Sequence, residues 1–434
     1  MHSAAILVAV IAACALGCGQ RATTTVATDA PTREIYLADA KEKQTVFKAG
    51  AASAVVTPPM GTHIAGDAKN RRFTGIHDDI FAKAVVLDDG ATPVAFVAVD
   101  CIGLPYPTVQ RIRRAAVEKL SGITLPEERI IVSSTHTHAG PDVIGIWGPD
   151  ETTSGVDPAY LDHLVEVAAE QVAKAAAARR PATLHVAETE SGEGWVVNDC
   201  EPGEVDRSVV VLQCLDEAGV NIATLTNFAC HPTCVDGTVS EVSADYIGAF
   251  YKEMSALYPG EHLFLQGAIG GWIQPITPER TFALAEDYGK RFAADVLAAM
   301  DQMNPVDDTT MRFANKVFTI PVANEGFKQL SALGIVDRPM GDTVETEVAW
   351  IAIGPVQIAT HPGETSPIHG WKTKELMDSG PKMVVGLGLD ELGYILKPEY
   401  FDGDTMPHAE YLVSMSPGPE AGPAMMTALE SIIP

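Results

Sequence analysis

Two histidines one residue apart, His136 and His138, follow an apolar β-branched run, Ile130-Ile131-Val132-Ser133-Ser134, and precede the turn signal Gly140-Pro141. Alternate residues of an extended chain face the same side, so both imidazoles can enter one cavity at the end of a buried strand. Imidazole is the commonest protein ligand for a transition metal. A lone His-x-His is more often chance or a packed turn, but here the arrangement repeats. His231 follows the apolar run 222–229, His361 and Glu364 follow 356–360, and Tyr394 lies after 383–388, with Pro or Gly close to each. In α/β folds the strand ends on one edge converge on the ligand crevice. Two His and one Glu are a zinc set with a position open for water or substrate. Singly these residues read as a core histidine, a Pro-Gly turn or a packed tyrosine. Together they predict one shared metal site.

The elements that must position them alternate along the chain. Residues 81–87 and 94–99 read as strands joined by Asp88-Asp89-Gly90, and 106–120 as a basic amphipathic helix with a solvated Arg/Lys face. After the strand at 130 comes an Ala-rich helix, 158–180, with Pro158 at its start. Strands are expected at 209–215 and 222–229, and helices at 245–258 and 281–300. Further strands follow at 311–322, 343–354, 356–360 and 383–388. The fold class expected is α/β, a mixed β-sheet core flanked by helices.

Composition is that of ordinary globular material: 434 residues, 46% hydrophobic and 20% charged, enough for a large core. The formal charge of −27 is spread along the chain, which argues against nucleic acid and against electrostatic docking on anionic lipid. The apolar stretch 4–16 is too short to span a bilayer and runs into Gly17-Cys18-Gly19-Gln20. That junction resembles a bacterial lipoprotein signal with Cys18 as the lipidated residue, although Ile11-Ala12-Ala13-Cys14 fits the same pattern. The expectation is a signal segment over 1–17, a flexible tether over 18–47 and a catalytic domain over 48–434. The protein would sit in the bacterial cell envelope, held to the membrane by its N-terminal lipid anchor, or be secreted. Five cysteines remain beyond this segment. Cys230 and Cys234 read as a local disulfide or as two buried thiols rather than a zinc knuckle, since no second pair follows at finger spacing.

Several segments carry a family resemblance. Ser134-Thr135-His136-Thr137-His138-Ala139-Gly140-Pro141, Asn227-Phe228-Ala229-Cys230-His231-Pro232-Thr233, Ser243-Ala244-Asp245-Tyr246 and Pro362-Gly363-Glu364-Thr365 are similar to those of the neutral/alkaline, non-lysosomal ceramidases. So are Ala49 to Pro59 and Gly75-Ile76-His77-Asp78. The resemblance implies hydrolysis of the amide bond of a ceramide at a single Zn2+. It places the zinc ligands on His136, His231, Glu364 and Tyr394, with His138 as a polar neighbour of the metal. A second active-site tyrosine falls on Tyr411, with Tyr400 as the alternative. The family's C-terminal immunoglobulin-like domain is not expected here.

The departures concern substrate positioning. Where the family has Gly-Asp-x-Ser/Asn-Pro, this chain has Gly270-Gly271-Trp272-Ile273-Gln274-Pro275, and the family's Asn-Arg pair aligns with Asn198-Asp199. Gly271 and Trp272 are therefore the candidate substrate-binding residues. The expected activity is hydrolysis of an amide or ester in a lipid-like or small acyl substrate. His138 would carry the proton and Tyr411 would polarise the carbonyl. Asp245 would either orient a ligand histidine or cap a helix. The reading from another class is an envelope lipoprotein that binds a ligand at the retained metal site without catalysis.

Overall fold

Runs of β-branched residues and Ala-rich amphipathic segments assemble, among the described residues, into two main sheets and three two-stranded ladders, with helices packed on them. The computed structural model describes residues 46–378, 380–403 and 406–434. The expected signal segment, Cys18 and the expected tether up to residue 45 lie outside the described residues.

The larger sheet has nine strands. Its order is Glu261–Gln266, Asn221–Phe228, Ser208–Asp216, Arg180–Glu190, Lys48–Val55, Phe81–Asp88, Val94–Val99 and Ile130–Ser134, with Asn304–Pro305 beside Arg180–Glu190. The outermost pair on each edge is parallel and the pairs between them are antiparallel. Parallel neighbours need a crossover. One is the helix Tyr106–Lys119 between Val94–Val99 and Ile130–Ser134; the other is Tyr246–Leu257 between Asn221–Phe228 and Glu261–Gln266. The sheet curls until its edges meet, and the Gln266 amide donates to Thr135 O at 2.9 Å. The loops after Ile130–Ser134 and Asn221–Phe228 thus open onto one place.

Four further strands, Met311–Pro321, Thr343–Ile353, Val356–Thr360 and Lys382–Val385, form the second sheet. It is tied to the first where Leu389 N donates to Val132 O at 2.7 Å and the Asn227 amide donates to Val384 O at 3.0 Å. The mixed α/β architecture expected from the sequence is present.

The Ala-rich helix ends at Ala177 rather than at residue 180, because the chain turns straight into Arg180–Glu190. It lies so close to Lys48–Val55 that a Cβ on Gly50 would stand 2.2 Å from Ala175 O, so only glycine allows the approach. One expectation is corrected. Arg113 is not on a solvated face: 3% exposed, it donates from Nη1 to Glu347 Oε2 at 2.6 Å and from Nε to Ile130 O at 2.8 Å. The helix Tyr106–Lys119 is covered there by the second sheet, which the helix's own periodicity does not reveal. Cys230 and Cys234 are buried free thiols, as are Cys101, Cys200 and Cys214. No helix among the described residues is long and apolar enough to cross a membrane.

Candidate metal centre

Ile130–Ser134 is buried throughout, and beyond it the chain bends through His136 at φ 71, a left-handed conformation costing a non-glycine residue about 1–2 kcal/mol. The His136 amide donates to Cys101 O at 2.9 Å and its ring Nδ1 donates to Ile102 O. Both carbonyls lie in the loop leaving the neighbouring parallel strand, so strand pairing itself sets the imidazole. His231 is held the same way, its amide and its Nδ1 each donating to Ile273 O at 2.8 Å. In both rings the proton is assigned to Nδ1 by its carbonyl partner, which leaves the Nε2 lone pair pointing inward.

The two Nε2 atoms meet one carboxylate oxygen. Glu364 Oε2 lies 2.9 Å from His231 Nε2 and 3.5 Å from His136 Nε2. His138 completes a group of three histidines whose ligand atoms lie within 4.8 Å of one another. Two lone pairs facing a carboxylate oxygen in a buried pocket repel unless a positive charge sits among them. The donor set therefore fits a cation, and imidazole with carboxylate suits zinc.

Tyr394 is brought to Glu364 by a two-residue parallel ladder in which Glu364 pairs with Tyr394 and Thr365 with Ile395. The turn Gly270-Gly271-Trp272 packs directly on this ladder. Gly270 N donates to Thr365 O at 2.8 Å, and the Trp272 indole N–H donates to the Tyr394 hydroxyl oxygen at 2.9 Å. His136, His138, Glu364, Tyr394 and Tyr411 line one cavity, whose other walls include Ile102, Ile144, Trp147, Phe327, Leu330 and Val336. The walls are mainly apolar, so water is poorly placed to solvate a charge there.

Burial lowers the His136 pKa and favours the neutral ligand form. Burial alone would raise Glu364, but attraction to the His136 and His231 rings in their protonated form, the same positive charge a cation would supply, overcomes it and holds the carboxyl far below its ordinary range. Burial likewise opposes charge on His138, yet the Asp236 carboxylate, 3.3 Å from Nδ1, raises its pKa on balance.

The structure brings His136, His138, His231, Glu364, Tyr394, Tyr411 and Trp272 together. Tyr400 is turned away, its hydroxyl donating to Glu201 Oε2 at 2.9 Å. Asp245 accepts from the backbone amides of Tyr246 at 2.6 Å and Val235 at 3.0 Å, capping the helix Tyr246–Leu257 and tethering the loop after His231. His136 and His231 take backbone carbonyls as acceptors instead. Gly271 and Trp272 are not among the residues lining the cavity. His361 lies between Thr365 Oγ1 at 2.8 Å and Thr373 Oγ1 at 2.9 Å, a satisfied core histidine.

Two residues escaped the sequence reading. Asp236 follows the His231 loop with no pattern of its own. Glu391 lines the cavity with Oε1 accepting from Gly393 N at 2.7 Å and Oε2 buried without a partner. Burial and the Glu364 charge push its carboxyl well up, so its protonated form is favoured. Its place in Asp390-Glu391-Leu392-Gly393-Tyr394, three residues before Tyr394, was the available signal.

A family model described as neutral/alkaline non-lysosomal ceramidase, N-terminal, matches residues 47–309. The chain belongs to this family. Among its relatives, neutral ceramidase from Mycobacterium tuberculosis is 31% identical over 322 residues, 69% of this chain and 46% of that protein. Neutral ceramidase B from Dictyostelium discoideum is 28% identical over 196 residues, 40% of this chain and 26% of that protein. The chain thus spans less than half the length of these curated relatives. The fold is similar to that of the neutral ceramidase from Pseudomonas aeruginosa, with a TM-score of 0.74 at 16% identity over 90% of this chain and 74% of that one. A ceramidase complexed with C2 gives a TM-score of 0.69 at 14% identity, covering 90% and 75%. The ceramidase-like hydrolase family and the fold are thereby shown.

Proposed function

We propose that the protein is a zinc-dependent hydrolase of an amide or ester bond in a lipid-like or small acyl substrate, acting from the cell envelope. The observation that carries the reading is Glu364 Oε2 set between two imidazole Nε2 atoms whose Nδ1 protons are committed to Ile102 O and Ile273 O. His136, His231, Glu364 and Tyr394 would hold the metal. When bound, zinc supplies Lewis-acid chemistry that lowers the pKa of water and polarises a carbonyl.

The remaining steps belong to the chain. The apolar walls of the cavity take the acyl part of the substrate and exclude bulk water. Tyr411, beside Tyr394 with ring centroids 6.3 Å apart, offers its hydroxyl to the carbonyl oxygen as charge develops there. His138, with Asp236 steadying its Nδ1 side, moves a proton from the attacking water to the leaving amine or alcohol. The family's substrate-gripping Asp and Ser are absent from the Gly270–Pro275 stretch, so ceramide itself is a poor fit.

The test pairs a panel of amides and esters with metal analysis of the purified protein. The reading expects zinc-dependent turnover, faster on a small or less polar acyl substrate than on ceramide, and loss of both metal and turnover in His231→Ala. Unchanged metal in that variant overturns the ligand set. Ceramide turnover equal to the best substrate overturns the altered specificity. Zinc bound without turnover of any panel member favours the ligand-binding lipoprotein.

A further inference from the structure

Trp272 occupies a position that its own conformation resists. The turn from Ile269 to Ile273 is closed by Ile273 N donating to Ile269 O at 3.1 Å, and it runs through two consecutive left-handed residues, Gly271 at φ 86 and Trp272 at φ 58. Glycine takes such a conformation freely, whereas tryptophan does so only where surrounding contacts hold it. Those contacts are present. The indole lies 4.3 Å from the His408 ring and 5.5 Å from the Tyr411 ring, centroid to centroid, and its N–H donates to the Tyr394 oxygen.

Tyr394 needs such a partner. Its backbone is fixed by pairing with Glu364 and by its amide donating to Met415 O at 2.9 Å. What the ladder leaves open is the direction of the phenol oxygen. An indole N–H only donates, so it can hold that oxygen whether or not the phenol keeps its proton. The same short turn sends Ile273 O to His231 and Gly270 N to Thr365 O. One turn thus reaches three of the segments that carry the cluster.

We propose that Trp272 is a positioning residue, whose indole N–H orients the Tyr394 oxygen onto the His136–His231–Glu364 cluster, so that it acts on the site through Tyr394 and not by touching substrate. This rests on the reading of Tyr394 as a metal ligand.

The test is a double-mutant cycle in zinc affinity, measured by competition with a chelator on the full chain. Trp272→Phe, which keeps an aromatic ring and removes the donor, should weaken zinc binding roughly 10-fold. Tyr394→Phe should weaken it at least as much, and adding Trp272→Phe to Tyr394→Phe should cost nothing further. Replacement of residue 272 by benzothienylalanine, which preserves the ring shape and lacks only the N–H, should reproduce the Trp272→Phe loss and keeps the test valid if phenylalanine disturbs folding. Equal losses from Trp272→Phe in the two backgrounds, or wild-type affinity with benzothienylalanine, overturn the proposal while leaving Tyr394 as a ligand. Unchanged affinity in Tyr394→Phe overturns the ligand reading and this proposal with it.

Discussion

Gly270 sits where the turn touches the Glu364 segment most closely. A Cβ there would stand 2.4 Å from Glu364 O, 2.7 Å from Thr365 C and 2.8 Å from Ser366 N. All three are backbone atoms, so no flexible side chain can yield. Gly270 is not among the left-handed glycines, so alanine suits its backbone and the penalty of Gly270→Ala is steric. Restoring ordinary carbon contacts moves the turn away from the ladder by about 1 Å. Overpacking of this kind costs about 1–3 kcal/mol. Losing the 2.8 Å bond from Gly270 N to Thr365 O costs about 1 kcal/mol more. The sum, about 2–4 kcal/mol, divides between global stability and metal binding, because Thr365 adjoins Glu364. Gly341 is the control, with nothing within 4 Å of a Cβ and no positive φ. Gly341→Ala should change stability by less than about 1 kcal/mol. Chemical unfolding midpoints and zinc affinity by chelator competition read the two effects. If Gly270→Ala matches Gly341→Ala in both, the packing of the turn on the Glu364 ladder does not hold the site.

Three further outcomes follow from the fold and the N-terminus. Arg113→Met leaves the Glu347 carboxylate buried without its cation and should lower stability by about 3–5 kcal/mol, a figure refuted by a change under about 1 kcal/mol. Burial raises the Asp100 carboxyl to about 6, above its unfolded value of about 3.9. The folded state therefore binds more protons over that interval, and stability should be highest below about pH 4 for this group and fall as pH rises to about 6, by about 3 kcal/mol. Asp100→Asn should flatten that slope in unfolding midpoints measured across the interval, and an unaltered slope contradicts the assignment. Cys18→Ser should move the protein from membrane to soluble fractions, whereas unchanged membrane association points to Cys14 or to another attachment.

Much of this site was legible because strand ends leave a pattern. The runs ending at Ser134, Phe228 and Thr360 are rich in apolar and β-branched residues and buried throughout, and His136, His231 and Glu364 stand just past them. His361 satisfies the same pattern and is a core residue, since the pattern cannot say which way a side chain turns. Arg180–Glu190 was hidden because it carries Arg, Thr, His and Glu at the mouth of an Ala-rich helix, and Lys48–Val55 because its residues are mostly small. The Trp272–Tyr394 bond joins residues 122 apart and depends on a two-residue ladder and a left-handed turn. Neither has a signature in spacing or composition. Asp236 was missed for the same reason, since only the folded chain brings its carboxyl group to His138.

The proposed site is a metal held by two imidazoles, a carboxylate and a phenol oxygen, with His138 beside it. X-ray absorption at the zinc edge on the purified protein, with elemental analysis of the same sample, tests this directly. The expected result is about one zinc per chain in an all nitrogen and oxygen shell containing two imidazoles, with a His138→Ala spectrum matching that of the wild type. A shell of three imidazoles that loses one in His138→Ala, or protein that binds no zinc, would contradict it.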